Sequence, residues 1–215
     1  MGRQNLGHTL DDYACFVTAL LDYFEAKPVK KYLDLAVHYA DYLLEHFWDE
    51  NEKNFFFTAD NHEKLIIRTK NIYDLSLPSG NSVAAGALLR LYHITQDKRY
   101  LDASMKIMES LSTMAAENPF GFGQLLNVIY MYLQKPIEIT MINYTNKELC
   151  TWLEKKFLPE SILVGIYTSE NLKALQSLPF FAGKEFVEAK TQVYVCKDFT
   201  CSLPLGTIDE VEKIL

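Results

Sequence analysis

The chain has 215 residues, and with 49% of them hydrophobic it can fill the core of one large domain or two small ones. Its 21 Lys and Arg against 28 Asp and Glu leave a formal net charge of −7, and no basic run offers a phosphate-binding stripe, which argues against nucleic acid as a partner. No apolar run approaches the ~20 residues that span a bilayer. The N-terminus MGRQNLGHTLDD lacks the apolar centre of a signal peptide, so the chain reads as cytoplasmic, with no membrane contact.

In chain order, Tyr13, Phe16, Val17, Leu20, Leu21 and Phe24 fall on one helical face, and Thr9 with Asp12 has the spacing of a capping box. Pro28 ends the following turn. Tyr32, Leu35, Ala36, Tyr39, Leu43 and Phe47 then repeat the helical spacing, which predicts two antiparallel helices. Asn54 to Thr58 and Lys64 to Arg68 are short β-prone runs around a polar turn, predicting a β-hairpin beside the helices. The stretch RTKNIYDLSLPSGNSVAAGALLRL, Arg68 to Leu91, carries a polar loop into a small-residue helix beginning near Gly80, with Ser79 as its N-cap after Pro78. Asp97 can cap a fourth helix carrying Tyr100, Ser104, Ile107, Met108, Leu111 and Met114. Asn118-Pro119 opens a fifth through Leu125, Ile129, Tyr132 and Leu133.

An internal repeat organises this half. Leu20, Leu21, Tyr32, Leu33 and Asp34 superpose on Leu88, Leu89, Tyr100, Leu101 and Asp102, as stacked αα-hairpins do, and the same offset carries Asp11, Asp12 and Tyr13 onto Ser79, Gly80 and Asn81. From Ile137 the texture becomes strand, helix, strand, helix, strand, which predicts parallel pairing with right-handed crossovers. A last helix follows Thr207, boxed by Glu210. The predicted fold is mainly α: αα-hairpin repeats with an inserted β-hairpin over residues 1–135, then a small parallel α/β domain over residues 136–215.

Two helix starts of the same class thus bear Asp-Asp-Tyr and Ser-Gly-Asn. Asp11, Asp12 and Asp74 are the candidate catalytic acids, because glycosyl chemistry needs one protonated and one ionised carboxyl. Tyr13, Arg68, Lys70, Ser79 and Asn81 are the candidate substrate-binding residues. The same side chains also have structural readings, since acids favour a helix's first turn, Ser79 caps, and Arg68 and Lys70 can pair with Asp74. On the catalytic reading, Asp74→Asn leaves the fold intact. None of the five histidines has metal-ligand spacing, so no metal and no cofactor are expected. Cys196 and Cys201 are too far apart for a C-x-x-C redox pair. They can form a labile disulfide or a binding corner, with two reduced thiols as the default.

Taken together, LDDYA (10–14), HFWDE (46–50) with FFFT (55–58), PSGNSVAA (78–85), RYLD (99–102), FLP (157–159) and YVCKDFTC (194–201) resemble the thioredoxin-domain-containing family of spermatogenesis-associated protein 20 and bacterial YyaL-type proteins. That resemblance implies a thioredoxin-like domain, a six-hairpin α/α toroid similar to N-acylglucosamine 2-epimerases, and a C-terminal α/β segment. This chain matches only the later part, so five helices form a partial toroid whose missing half or thioredoxin-like domain is an expected partner, with self-association through the N-terminal helical edge as the substitute. The functional expectation is a carbohydrate-binding or carbohydrate-active cleft, epimerase- or glycosidase-like, with a sugar ligand. The alternative is a non-catalytic scaffold for a thioredoxin-like partner, and a third reading makes Cys196 and Cys201 a thiol relay for it.

Overall fold

The computed structural model describes residues 8–62 and 66–215. All five helices expected before Pro136 form: α1 (Leu10–Ala26), α2 (Lys30–His46), α3 (Gly80–Thr95), α4 (Lys98–Glu117) and α5 (Gly123–Gln134). Their starts follow the sequence signals. Thr9 donates its N–H and its hydroxyl to Asp12 Oδ2, each at 2.8 Å, and Asp97 accepts from Arg99 N ahead of α4. The mainly helical class therefore holds. Among the described residues, no helix is long and apolar enough to cross a membrane.

The fifth helix starts later than its Asn-Pro signal suggests. Pro119–Gly121 make a single 3-10 turn before α5 begins at Gly123. The Gly121 carbonyl accepts from Asp74 N at 2.8 Å, while Leu125 N, which would otherwise bond that carbonyl, donates to the Asp74 carboxylate.

The chain divides into two compact units. The first holds the residues up to Leu21, Asp34–Tyr92 and Asp97–Ile129; the second holds Asp22–Leu33, His93–Gln96 and Tyr130–Leu215. In the first unit most of the apolar positions read from the sequence are buried, with Val17, Leu21, Leu43, Leu88, Leu91, Ile107, Leu111 and Leu125 almost wholly removed from solvent, whereas Phe16, expected on the same face as Val17, is 47% exposed. Gly80 lets the starts of α1 and α3 meet. A Cβ there would stand 2.4 Å from Asp11 Oδ1 and 2.6 Å from Leu10 Cγ, so this close approach needs glycine at this position.

The inserted hairpin differs from expectation. It pairs β1 (Trp48–Asp49) with β2 (Asn54–Phe55), in the register Trp48↔Phe55 and Asp49↔Asn54. Of the second arm expected at residues 64–68, positions 64 and 65 lie outside the described residues, and the arm's remaining residues form no strand. The Arg68 guanidinium takes the carbonyls of Thr58 and His46, and a single bond from Phe57 N to Thr69 O (2.8 Å) replaces a ladder.

In the second unit the strand order is β4-β3-β5-β6, from β3 (Ile137–Ile142), β4 (Ser161–Ile166), β5 (Gln192–Lys197) and β6 (Thr200–Cys201). β3 and β4 are parallel across α6 (Lys147–Lys155), as expected, whereas β5 runs antiparallel to β3. The all-parallel prediction fails at β5, because the segment between α7 (Ser169–Leu175) and β5 does not cross back along the sheet. The chain is held at the far end instead. Thr191 Oγ1 accepts from Asn146 N at 2.7 Å, and Asn143 Nδ2 donates to Val187 O at 2.9 Å, so β5 must start beside the end of β3. The last helix, α8 (Ile208–Glu212), has the predicted capping box from Thr207 and Glu210.

One sheet face is apolar. Ile139, Met141, Val193 and Val195 pack there with Leu149, Leu153 and Val211. Leu88→Ala should cost about 2–5 kcal/mol through the cavity it leaves. Gly80→Ala should cost about 1–3 kcal/mol by forcing α1 and α3 apart. Chemical denaturation of each variant, followed by circular dichroism, checks both.

Candidate functional site

At the helix starts of the first unit, backbone N–H groups that lack helical partners are met by side chains from the loop before α3 and from the first turn of α1. Asp74 is buried, and its Oδ1 accepts from Ser79 N at 2.8 Å while its Oδ2 accepts from Gln124 N at 2.8 Å and Leu125 N at 3.1 Å. One carboxylate thus caps both α3 and α5. Asp11 Oδ1 accepts from Gly80 N at 2.9 Å. Asn81, fully buried, accepts from Phe55 N (2.8 Å) and donates to Phe55 O (3.0 Å) and Asn71 O (3.1 Å), which fixes the edge of β2. Ser79 Oγ lies 2.9 Å from Ser82 Oγ and accepts from Ser82 N.

Asp11, Asp74, Ser79 and Asn81 therefore lie at adjoining helix starts, with their side-chain polar atoms engaged by backbone or, for Ser79, also by the Ser82 hydroxyl. Arg68 and Lys70 do not pair with Asp74. Arg68 holds the Thr58 and His46 carbonyls and lies over the Phe56 ring, and Lys70 bridges Asp49 at 2.6 Å and Glu52 at 2.7 Å. Tyr13 stacks on Tyr42 with centroids 4.9 Å apart, and burial beside that ring pushes its phenol up to about 12. The two neighbouring acids differ in environment. Burial raises the Asp11 carboxyl despite the Gly80 N–H, whereas the Thr9 N–H and hydroxyl hold Asp12 below the usual carboxylate range.

The loop's apolar side chains face the other way. Leu75 is 80% exposed, Leu77 79% and Phe120 97%, with Tyr73 against Phe122 at 5.2 Å. These exposed side chains form an apolar rim in sequence terms, on the loop that leads into α3 and the 3-10 turn that leads into α5.

The second unit holds two groups that sequence reading missed. A cleft of about 530 Å³ is lined by Asp22, Glu25, Glu154 and Lys156 with the stacked pair Tyr144 and Tyr167, whose centroids are 4.4 Å apart. Beside the β5–β6 hairpin, Glu138 Oε1 lies 2.8 Å from His93 Nδ1, and both are buried. Lys184, also buried, donates to the Phe180 carbonyl, lies between the Phe180 and Tyr194 rings and has its Nζ 3.9 Å from Cys201 Sγ. Burial pushes its ammonium below the ordinary lysine range, with Glu138 opposing. Cys196 and Cys201 are joined as a disulfide rather than held as the reduced thiols expected by default. A glutamate inside the otherwise apolar run IEITMI was the one sequence signal for this cluster. Among the described residues, no group of three or more His, Cys, Asp or Glu could hold a metal ion.

No family model matches the chain. It is 26% identical over 211 residues to spermatogenesis-associated protein 20 of rat and of human, which covers 96% of this chain. The resemblance read from the sequence motifs holds along the chain. An uncharacterized protein of Caenorhabditis elegans is 27% identical over 218 residues, covering 99% of the chain. The chain spans only 27–29% of the length of these relatives.

The hydrogen bonds of Asp74 reverse the expectation that its substitution is harmless. Asp74→Asn should cost about 2–4 kcal/mol, comparable with Leu88→Ala, because an amide NH2 would face helix-start N–H groups that the carboxylate now satisfies. Urea denaturation of the two variants side by side is the check.

Proposed function

We propose that this chain is a non-catalytic interaction module that docks a further polypeptide region, such as the longer relatives carry, through the apolar rim of its first unit. In this reading residues 1–135 are a segment of an α/α toroid, residues 136–215 are a small α/β domain, the docked region is the missing half or a thioredoxin-like domain, and the protein works in the cytoplasm. The observation that carries it is the division of labour at the helix starts. Asp11, Asp74, Ser79 and Asn81 bond to backbone or to each other, while Leu75, Leu77 and Phe120 stand in solvent. Apolar exposure of this kind favours burial against another protein surface. The length of the relatives supplies an occupant, since about three quarters of each lies outside the matched region.

Photo-crosslinking in the native cell tests it. A benzophenone side chain at Leu77 or Phe120 should capture a polypeptide, and one at the exposed Lys98 should not. Equal labelling at all three positions, or none at Leu77 and Phe120, would sink the reading.

A carbohydrate-binding or carbohydrate-active cleft is the second reading. It is supported by the cleft of the second unit, where the rings of Tyr144 and Tyr167 stand beside Asp22, Glu25 and Glu154, the pairing of flat apolar faces with carboxylates that suits a sugar. A thermal-shift panel of mono- and disaccharides should then show stabilisation that Tyr167→Ala abolishes. No shift with any sugar on the folded chain would rule it out.

A further inference from the structure

Docking through the first unit gives no role to the buried ionisable side chains beside the β5–β6 hairpin. Asp198 and Phe199, both at positive φ, form its two-residue turn, which sets Lys197 opposite Thr200 and Cys196 opposite Cys201. Cys196 is fully buried, whereas Cys201 lies on the exposed strand β6. On the sheet face opposite the apolar cluster, Glu138 of β3 is the direct cross-strand neighbour of Cys196. His93, bonded to Glu138, stacks on the Phe199 ring of the turn with centroids 5.7 Å apart. Lys184 approaches the same hairpin, with its Nζ 3.9 Å from Cys201 Sγ.

A buried ammonium is costly, and a neutral disulfide sulfur is a weak acceptor that offsets little of that cost. A thiolate in the same place would be a full counter-charge. Cys201 is an exposed residue and Cys196 a fully buried one, which makes Cys201 the end of the bridge that an incoming thiol meets first.

We propose that Cys196–Cys201 is a thiol–disulfide exchange site, in which a dithiol reductant attacks Cys201 Sγ and Lys184 holds the Cys201 thiolate that results. In the first step the reductant's thiolate forms a bond to Cys201 Sγ. The Cys196–Cys201 bond breaks, and its electron pair leaves on Cys196, which takes a proton from solvent. In the second step the reductant's other thiolate attacks its own sulfur in the mixed disulfide and expels Cys201 as a thiolate. The reductant is oxidised to a cyclic disulfide by two electrons and the protein is reduced by two, with no further co-reactant. Lys184 acts on the second step, since an adjacent ammonium lowers the basicity of a leaving thiolate and speeds its departure.

Three measurements on the full chain test this. Dithiothreitol at millimolar concentration should open the bridge in the folded protein, read by intact mass as alkylation of one additional cysteine, Cys201, with an unchanged circular dichroism spectrum, the second appearing only after denaturation. With Cys196→Ser, Cys201 should react with iodoacetamide at pH 7 about tenfold faster than free N-acetylcysteine, whereas Cys196 in the Cys201→Ser variant should be protected. Adding Lys184→Met to Cys196→Ser should move the alkylation pH profile of Cys201 upward, and Lys184→Arg should restore it. The Cys196→Ser profile leaves Lys184 in place, so it decides the charge effect even where Lys184→Met does not fold. A bridge that opens only in denaturant, or a Cys201 no more reactive than N-acetylcysteine, would make it an inert structural link and overturn the proposal.

Discussion

A single carboxylate sits where two helices begin. The first turns of α3 and α5 each present N–H groups with no helical partner and a positive partial charge, and Asp74 answers three of them from one buried position. Removing a carboxylate from water is costly unless its oxygens are satisfied, and here both oxygens are. The rest of the first unit follows from this point. Asp11 brings α1 to the start of α3 through Gly80, and Asn81 carries the same arrangement to β2 by mimicking a strand partner for Phe55. Because the loop's one buried acid turns inward, its leucines are left on the outside.

The second unit handles buried charge by another route. Its sheet has one apolar face, closed by α6 and α8, and one face on which Glu138, Tyr194 and Cys196 stand among buried neighbours. Glu138 is matched by His93, and Lys184 by a carbonyl, two ring faces and a nearby sulfur. Such groups gain specificity of position at a cost in stability. The cost is most readily understood where the position serves chemistry, and the neighbouring disulfide is the reactive group within reach.

These two solutions bear differently on function. At the helix starts the polar side chains that resemble a catalytic constellation in one dimension complete backbone hydrogen bonds in three. Similarity to spermatogenesis-associated protein 20 extends over nearly the whole chain yet covers about a quarter of that protein. A module with an apolar rim is consistent with that proportion. In the second unit ionisable groups gather at the hairpin and along the tyrosine-walled cleft.

The sequence by itself determined what is local or periodic. The five helices and the capping residues Thr9, Ser79, Asp97 and Thr207 could all be read, because helical period and cap chemistry depend on residues a few positions apart. Tertiary structure decided what depends on distance. The direction of β5 was set by Thr191 and Val187 bonding beside the end of β3, which does not alter the strand's own pattern. The partners of Arg68 were carbonyls rather than Asp74, since a guanidinium satisfies whichever acceptors the folded loop offers. Cys196 and Cys201 joined because a two-residue turn placed them in register, and Lys184, His93 and Glu138 met there from three separate segments. No spacing along the chain encodes that meeting, because it exists only once the sheet has formed.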